Sequence, residues 1–315
     1  MGLRLPMVLP SGLWAATRRL DRLAAGALLG AAMAMAAPAA AQSGARGAPA
    51  ESTASANSAS QADPASPADS ADSADSADSA DSAAGPPVLP YRPSVSSPAQ
   101  LPAPGQLELE LGGLASCGGG ERRASLPYTL KLAFNEEWGV LLGGEAWVSD
   151  REPGAPRLRG AGDTLLVLKR AWNMGEGSAL GLELGAKVPT ARDGIGSGRA
   201  DYSANGIVSR DFGSVHMDAN LNLTRLGGTE PGMGRMQTGA SASFSLPLDG
   251  KWGVTAELAG TRRSGAGRSA QLLLAAAYSP DPRMTIDFGL ARGLTGAAPD
   301  WQFFSGIVLP LAKIW

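Results

Sequence analysis

Residues 214–225 read S-V-H-M-D-A-N-L-N-L-T-R. Val215, Met217, Ala219, Leu221 and Leu223 are apolar, and His216, Asp218, Asn220, Asn222 and Thr224 between them are polar or titratable. A period of two over about ten residues is a strand with one apolar face. The polar face is too wet for the core of a soluble sandwich, and about ten tilted residues are what a transmembrane barrel strand needs to cross a bilayer. An edge strand of a soluble sheet would show the same alternation. Its repetition along the chain decides between the two.

The repetition is there. Leu107, Leu109 and Leu111 alternate with Glu108 and Glu110, and Tyr128, Leu130, Leu132 and Phe134 alternate with Thr129, Lys131 and Ala133. Comparable runs cover residues 138–148, 164–172, 180–188, 202–210, 236–246, 252–260, 270–278, 284–290 and 301–309. With the opening stretch they make about twelve strands, an even number as bacterial barrels have. Connection lengths carry the argument further. Residues 112–126, 149–162, 190–199, 226–235, 262–268 and 292–300 are long and rich in Gly, Arg and Pro, whereas 135–137, 173–177, 211–214, 248–251 and 279–283 are short. Strict alternation of long and short is the asymmetry of an outer-membrane barrel with both chain ends in the periplasm. Trp138, Trp172, Trp252, Tyr278 and Trp301 fall near strand ends, where aromatic girdles sit, and Trp315 at the last position resembles the terminal aromatic signal read by the barrel-insertion machinery.

Ahead of this region, residues 1–41 carry Arg4, Arg18, Arg19 and Arg22, an apolar run over 23–36 and small residues before a cut after Ala41. That is the pattern of a secretory signal peptide. The Arg18-Arg19 pair lacks the rest of a twin-arginine pattern, so the general secretory route is expected. Residues 42–105 are built from Ala, Ser, Pro, Gly and Asp, with Ala-Asp-Ser repeated over 68–82. So little of this can be buried that a disordered periplasmic tether is expected, carrying seven acids against two arginines. The barrel is assigned to residues 106–315, where 21 basic and 21 acidic residues balance. A neutral folded region argues against a nucleic-acid partner. The fold class is therefore all-β, a transmembrane antiparallel barrel of about twelve strands behind a signal peptide and a linker, in the cell outer membrane.

If the apolar faces meet lipid, the lumen receives Glu108, Glu110, Lys131, Glu145, Lys169, Glu183, Lys187, His216, Asp218, Asn220, Asn222, Glu257 and Asp287, with Gln237, Ser241, Ser243, Ser245 and Gln271. Acids outnumber lysines, so an open pore would lean toward cations. The same charges also suit a structural ion-pair network that closes the barrel. The long connections collect arginines, among them Arg122, Arg123, Arg157, Arg159, Arg262, Arg263 and Arg268. Guanidinium groups at an outer rim match the phosphates of lipopolysaccharide, which they bind in bidentate fashion.

Enzymatic readings have less to stand on. His216 is the one histidine, and a hydrolase would need a serine beside it where the strand face offers Asp218. One histidine and one cysteine make no imidazole or thiolate metal site, leaving only carboxylate-bound Ca²⁺ in the loops. Cys117 has no disulfide partner. Gly194, Gly196 and Gly198 precede a strand and open no helix, so a nucleotide cradle fails on context. No catalytic residue, metal or cofactor is assigned.

Gly160-x-Gly162-Asp163, Lys169, residues 182–187, Pro189-Thr190, the Gly194–Gly198 run and Asp201-Tyr202 resemble the outer-membrane proteins grouped with the meta-pathway of phenol degradation, described as transporters. The resemblance is carried by residues 160–225. It implies a barrel that passes small, often aromatic or apolar, molecules, and brings no binding residues with it. Three functions follow from the sequence: passage of small solutes through the lumen, a closed structural barrel engaging lipopolysaccharide through its arginines, and an outer-membrane hydrolase.

Overall fold

The computed structural model describes residues 85–315; the signal peptide and residues 42–84 of the linker lie outside the described residues. Twelve long antiparallel strands follow one another in chain order: β1 (Gln106–Gly118), β2 (Glu121–Ala133), β3 (Trp138–Arg151), β5 (Thr164–Gly175), β6 (Ser178–Val188), β7 (Asp201–Phe212), β8 (Val215–Arg225), β9 (Met236–Pro247), β10 (Trp252–Arg263), β11 (Ser269–Asp281), β12 (Met284–Gly293) and β13 (Trp301–Lys313). A short β4 (Leu158–Gly160) hangs on the end of β3. Each long strand pairs with its sequence neighbours, and β1 pairs with β13 from Gln106↔Lys313 to Cys117↔Trp301, which closes the barrel and leaves no open edge.

Alternation sorts the side chains as the sequence predicts. Across β7, β8 and β9 the register sets Ser209 opposite Asp218 and Asp218 opposite Ser243, one polar layer on the inner face. Outside, Leu166, Leu168, Leu182, Leu184, Leu221, Leu223, Leu274 and Phe288 stand exposed. Such a band of large apolar side chains on the convex face of a closed sheet needs an apolar solvent, which a bilayer supplies.

Four of the five short turns share one device. The carboxamide or carboxylate of a turn residue accepts backbone N–H groups two or three residues on: Asn135 from Glu137 and Trp138, Asn173 from Gly175, Asp249 from Lys251 and Trp252, and Asp281 from Arg283. These local bonds satisfy donors that the strand ladder leaves behind.

At the opposite end one expectation is corrected. Residues 112–126 are no long loop: β1 and β2 continue to a two-residue turn at Gly119-Gly120, where both glycines have positive φ (60° and 87°) as a tight hairpin twisted with its strands requires. Arg122, Arg123 and Cys117 therefore lie on strands. The other long connections are found where the sequence placed them.

Candidate functional site

A second correction decides what the barrel can do. Residues 85–105, expected as the end of the disordered tether, run inside the lumen. The segment enters beside the β11–β12 turn, where Val88 N–H donates to the Pro282 carbonyl (2.9 Å). It leaves beside β2, where Gly105 N–H donates to the Ala133 carbonyl (3.0 Å) and the Gly105 carbonyl accepts from Ile314 (2.7 Å). Both contacts are at the short-turn end, so the segment is an inserted loop, a plug.

The plug answers the wall donor for acceptor. Leu89 N–H reaches both oxygens of Glu108 (3.2 Å each) and Tyr91 N–H reaches Glu110 (2.7 Å). Arg92 forms a two-pronged pair with Asp287, and its Nη2 also donates to the Ser305 carbonyl (3.2 Å). Glu257 accepts three bonds, from Val95 N–H (2.7 Å), Ser96 N–H (2.6 Å) and the Ser96 hydroxyl (2.6 Å). Asn220 and Ser97 exchange a pair of bonds (2.8 and 2.9 Å), and Ala99 N–H donates to Ser209, whose hydroxyl donates to Asp218. A backbone without regular partners is thus satisfied by side chains of the wall, as buried N–H groups must be.

The cations of the wall complete the set. Lys131 bridges Glu108 (3.0 Å) and Glu110 (2.6 Å) and donates to the Leu89 carbonyl; Lys169 pairs with Glu183 (3.0 Å) and donates to the Pro98 carbonyl (2.5 Å). The two ammonium groups stand 4.4 and 4.1 Å from the centre of the Tyr91 ring, which is held between them by cation–π attraction. Its hydroxyl donates to the Gln100 carbonyl (2.9 Å). Burial, with the carboxylates of Glu183 and Glu110 nearby, holds the Tyr91 phenol well above the ordinary tyrosine range. Lys131, Lys169 and Glu108 have no exposed surface at all.

Glycines make room for this loop. Gly112 and Gly306 face each other across β1 and β13, and a Cβ on Gly112 would lie 2.7 Å from the Arg92 guanidinium carbon. The pair is a slot for that side chain.

Beyond the plug, toward the long loops, the lumen opens into a cavity of about 480 Å³ lined by Arg123, Glu145, Asp163, Lys187, Asp201 and Asn222 among others. Lys187 pairs with Asp163 (3.1 Å) and Asp201 (2.9 Å), and Arg123 with Glu145 (2.6 Å) and Asp150 (3.0 Å). Arg123 was assigned to the lipopolysaccharide-facing rim; the structure turns it into the lumen instead, because its strand face is that of Ser125 and not that of Arg122. Arg263, of the same assignment, is half-buried with its guanidinium on Met233 Sδ (3.1 Å). Arg122, Arg157, Arg159, Arg262 and Arg268 are exposed.

His216 lies near the short-turn end with Nδ1 on Asp211 (2.6 Å) and Nε2 on Asp218 (3.1 Å). Both ring nitrogens face carboxylates, and the serine in this cluster, Ser209, donates to Asp218 in place of the imidazole. The nucleophile-to-base bond that a hydrolase needs is not formed.

Comparison with known proteins agrees with the architecture. In fold the chain is similar to an outer membrane channel from Pseudomonas putida F1, with a TM-score of 0.56 and 13% identity over 71% of this chain and 100% of that one. A weaker likeness is to the KdgM porin, with a TM-score of 0.47 and 8% identity over 65% of this chain and 99% of the porin. At these identities the first likeness establishes the fold, an outer-membrane β-barrel. No curated protein matches the chain in sequence. The profile of one family, described as "Putative MetA-pathway of phenol degradation", matches residues 138–311. That span is more than half of the chain and extends well beyond the residues 160–225 that carried the resemblance, and the protein belongs to this family.

Proposed function

We propose that the protein is an outer-membrane channel for small solutes, closed at its periplasmic end by residues 85–105. One observation carries this reading: the lumen is shut by polar contacts between the plug and the wall. The buried apolar cluster at the plug is no more than Ala99, Ala179 and Ile207. A barrel built only as a scaffold fills its interior with apolar side chains or with charges that pair among themselves. Here Glu257 and Asp287 draw their partners from the plug, and both would be left facing water if it withdrew.

The charged vestibule, with Glu145, Asp150, Asp163 and Asp201 against Arg123 and Lys187, favours small polar or cationic solutes. An aromatic cargo, which the family suggests, would enter with a polar substituent toward these groups. In this reading the exposed arginines of the long-loop rim meet lipopolysaccharide phosphates, Trp315 serves the insertion machinery, and residues 42–84 lie in the periplasm.

A second reading, a permanently closed barrel, is favoured by the complete burial of Lys131 and Lys169. Planar-bilayer recording of the refolded protein, with and without residues 85–104, separates the two. Closed-channel behaviour that turns into cation-selective conductance on plug removal supports the channel. Silence of both forms, correctly inserted, would leave the closed barrel standing.

A further inference from the structure

On the outer surface of the barrel, at the long-loop end, β2 and β3 place Arg122 directly opposite Arg151. Directly opposed residues of an antiparallel pair bring their Cβ atoms within about 5.5 Å, and like charges so placed destabilise the sheet. Elsewhere in the barrel such charges are matched, as Lys131 is with Glu108. At this position they are not. Among the described residues neither the Arg122 nor the Arg151 side chain takes part in an ion pair or hydrogen bond, and neither does that of Arg157, which comes in from the following loop. The three guanidinium groups line one groove of about 260 Å³ together with Arg123, whose charge is met by Glu145 and Asp150, and the groove's other walls include Ala115, Cys117, Ala124, Ser149 and Phe303. None of these five is charged at neutral pH.

The groove is placed where a lipid headgroup would sit. Four residues further along the same outward face, toward the middle of the barrel, β2 and β3 present Leu126 opposite Trp147, both exposed. On the neighbouring side Phe303 stacks beside Trp301, ring centres 6.4 Å apart, with the Arg292 guanidinium over the Trp301 ring (4.8 Å). Three uncompensated cations thus stand at the border between an apolar belt and water, next to an aromatic cluster. Anions that present several oxygens at that depth are the phosphates of membrane lipids, which arginine binds in bidentate fashion.

We propose that the groove formed by Arg122, Arg151 and Arg157 is a binding site for one phosphate of a phosphorylated outer-leaflet glycolipid, its acyl chains lying along Leu126, Trp147 and Phe303. The phosphate supplies the negative charge that the Arg122–Arg151 opposition lacks. This rests on the outer-membrane reading of the barrel, and it gives the rim arginines a specific position that includes Arg151.

The test uses the full chain in detergent, titrated with diphosphorylated lipid A, with lipid A stripped of its phosphates, and with inorganic phosphate, followed by native mass spectrometry and thermal unfolding. Diphosphorylated lipid A should bind at least tenfold more tightly than the stripped form, and Arg122→Gln with Arg151→Gln should abolish that difference. Arg262→Gln with Arg268→Gln, exposed arginines elsewhere on the rim, should leave it intact. In lipid-free detergent the Arg122→Gln protein should unfold at a higher temperature than wild type, and at a lower one once lipid A is added. Equal binding of the two lipids, or unchanged binding in the Arg122/Arg151 variant, would overturn the site. Saturation by millimolar inorganic phosphate that lipid A cannot displace would overturn the assignment to a lipid. Folded barrel that inserts in bilayers while failing these tests removes only this site; failure to insert at all would remove the outer-membrane reading beneath it.

Discussion

Arg92 of the plug and Asp287 of β12 meet through two parallel bonds, Nε to Oδ2 and Nη2 to Oδ1, each 3.1 Å long. Asp287 is almost wholly buried, with 1% of its side chain exposed. The pair joins the plug to the barrel wall beside β1 and β13. Arg92→Ala would leave the carboxylate buried and unmatched, at a cost on the order of 3 kcal/mol, while in the withdrawn state water solvates it. The closed state alone is weakened. We expect the open probability in planar bilayers to rise by about a hundredfold, with the melting of the barrel little changed.

The slot offers a steric route to the same end. Gly112→Val places a branched side chain where the Arg92 guanidinium lies, so the guanidinium must leave the slot. The variant should conduct as Arg92→Ala does, and the double variant should conduct no more than either single one, because both remove one contact. Single-channel recording of the three proteins checks the non-additivity.

Glu257→Gln keeps the size of the side chain and removes its charge. Three short bonds from Val95 and Ser96 then lose their charge assistance, each worth roughly 1 kcal/mol more than a neutral bond. The plug should loosen. In the form lacking residues 85–104 the same substitution should lower cation preference, read as a reversal potential closer to zero.

A pH effect is expected at the β9–β10 turn. Backbone N–H groups of Lys251, first, and Trp252 hold the Asp249 carboxyl below the usual carboxylate range. A depressed carboxyl contributes its stability above the ordinary value and loses it as pH falls through the lowered one. Asp249→Asn keeps the acceptor without the titration. Heat-modifiable gel migration should therefore show wild type losing stability relative to Asp249→Asn as pH falls below about 4, with no difference in the trend between about pH 7 and about pH 5.

Strand positions were legible because one face of every strand answers to lipid and the other to water, so the alternation in 214–225 recurs wherever the wall does. The length of the first hairpin was not. Residues 112–118, Gly-Gly-Leu-Ala-Ser-Cys-Gly, are small and lack alternation, so their continued pairing with Arg122–Ser125 leaves no mark in hydropathy. The lumenal acids were found from period alone, yet their partners were not, since the plug is Pro- and Ser-rich and contributes mainly backbone N–H groups, which every sequence has. Two signals were present: the Ala-Asp-Ser repeat ends before V-L-P-Y-R-P at 88–93, and a tether has no need of Tyr91 and Arg92. Arg123 was misplaced by the same error of hairpin length, because as a strand residue it must face one side or the other.

Four residues, 100–103, separate Ala99, the last plug residue bonded to the wall deep in the lumen, from the anchor that Pro104 and Gly105 make beside β2 at the start of β1. A withdrawn plug therefore stays within about a dozen ångströms of its seat, by the root-mean-square reach of so short a chain. Its effective concentration there is millimolar or higher, and reclosure is unimolecular. The channel should then gate at a rate independent of protein concentration. A free peptide of residues 85–104 added to the shortened barrel should block it only in the millimolar range, although it would make every contact the tethered segment makes.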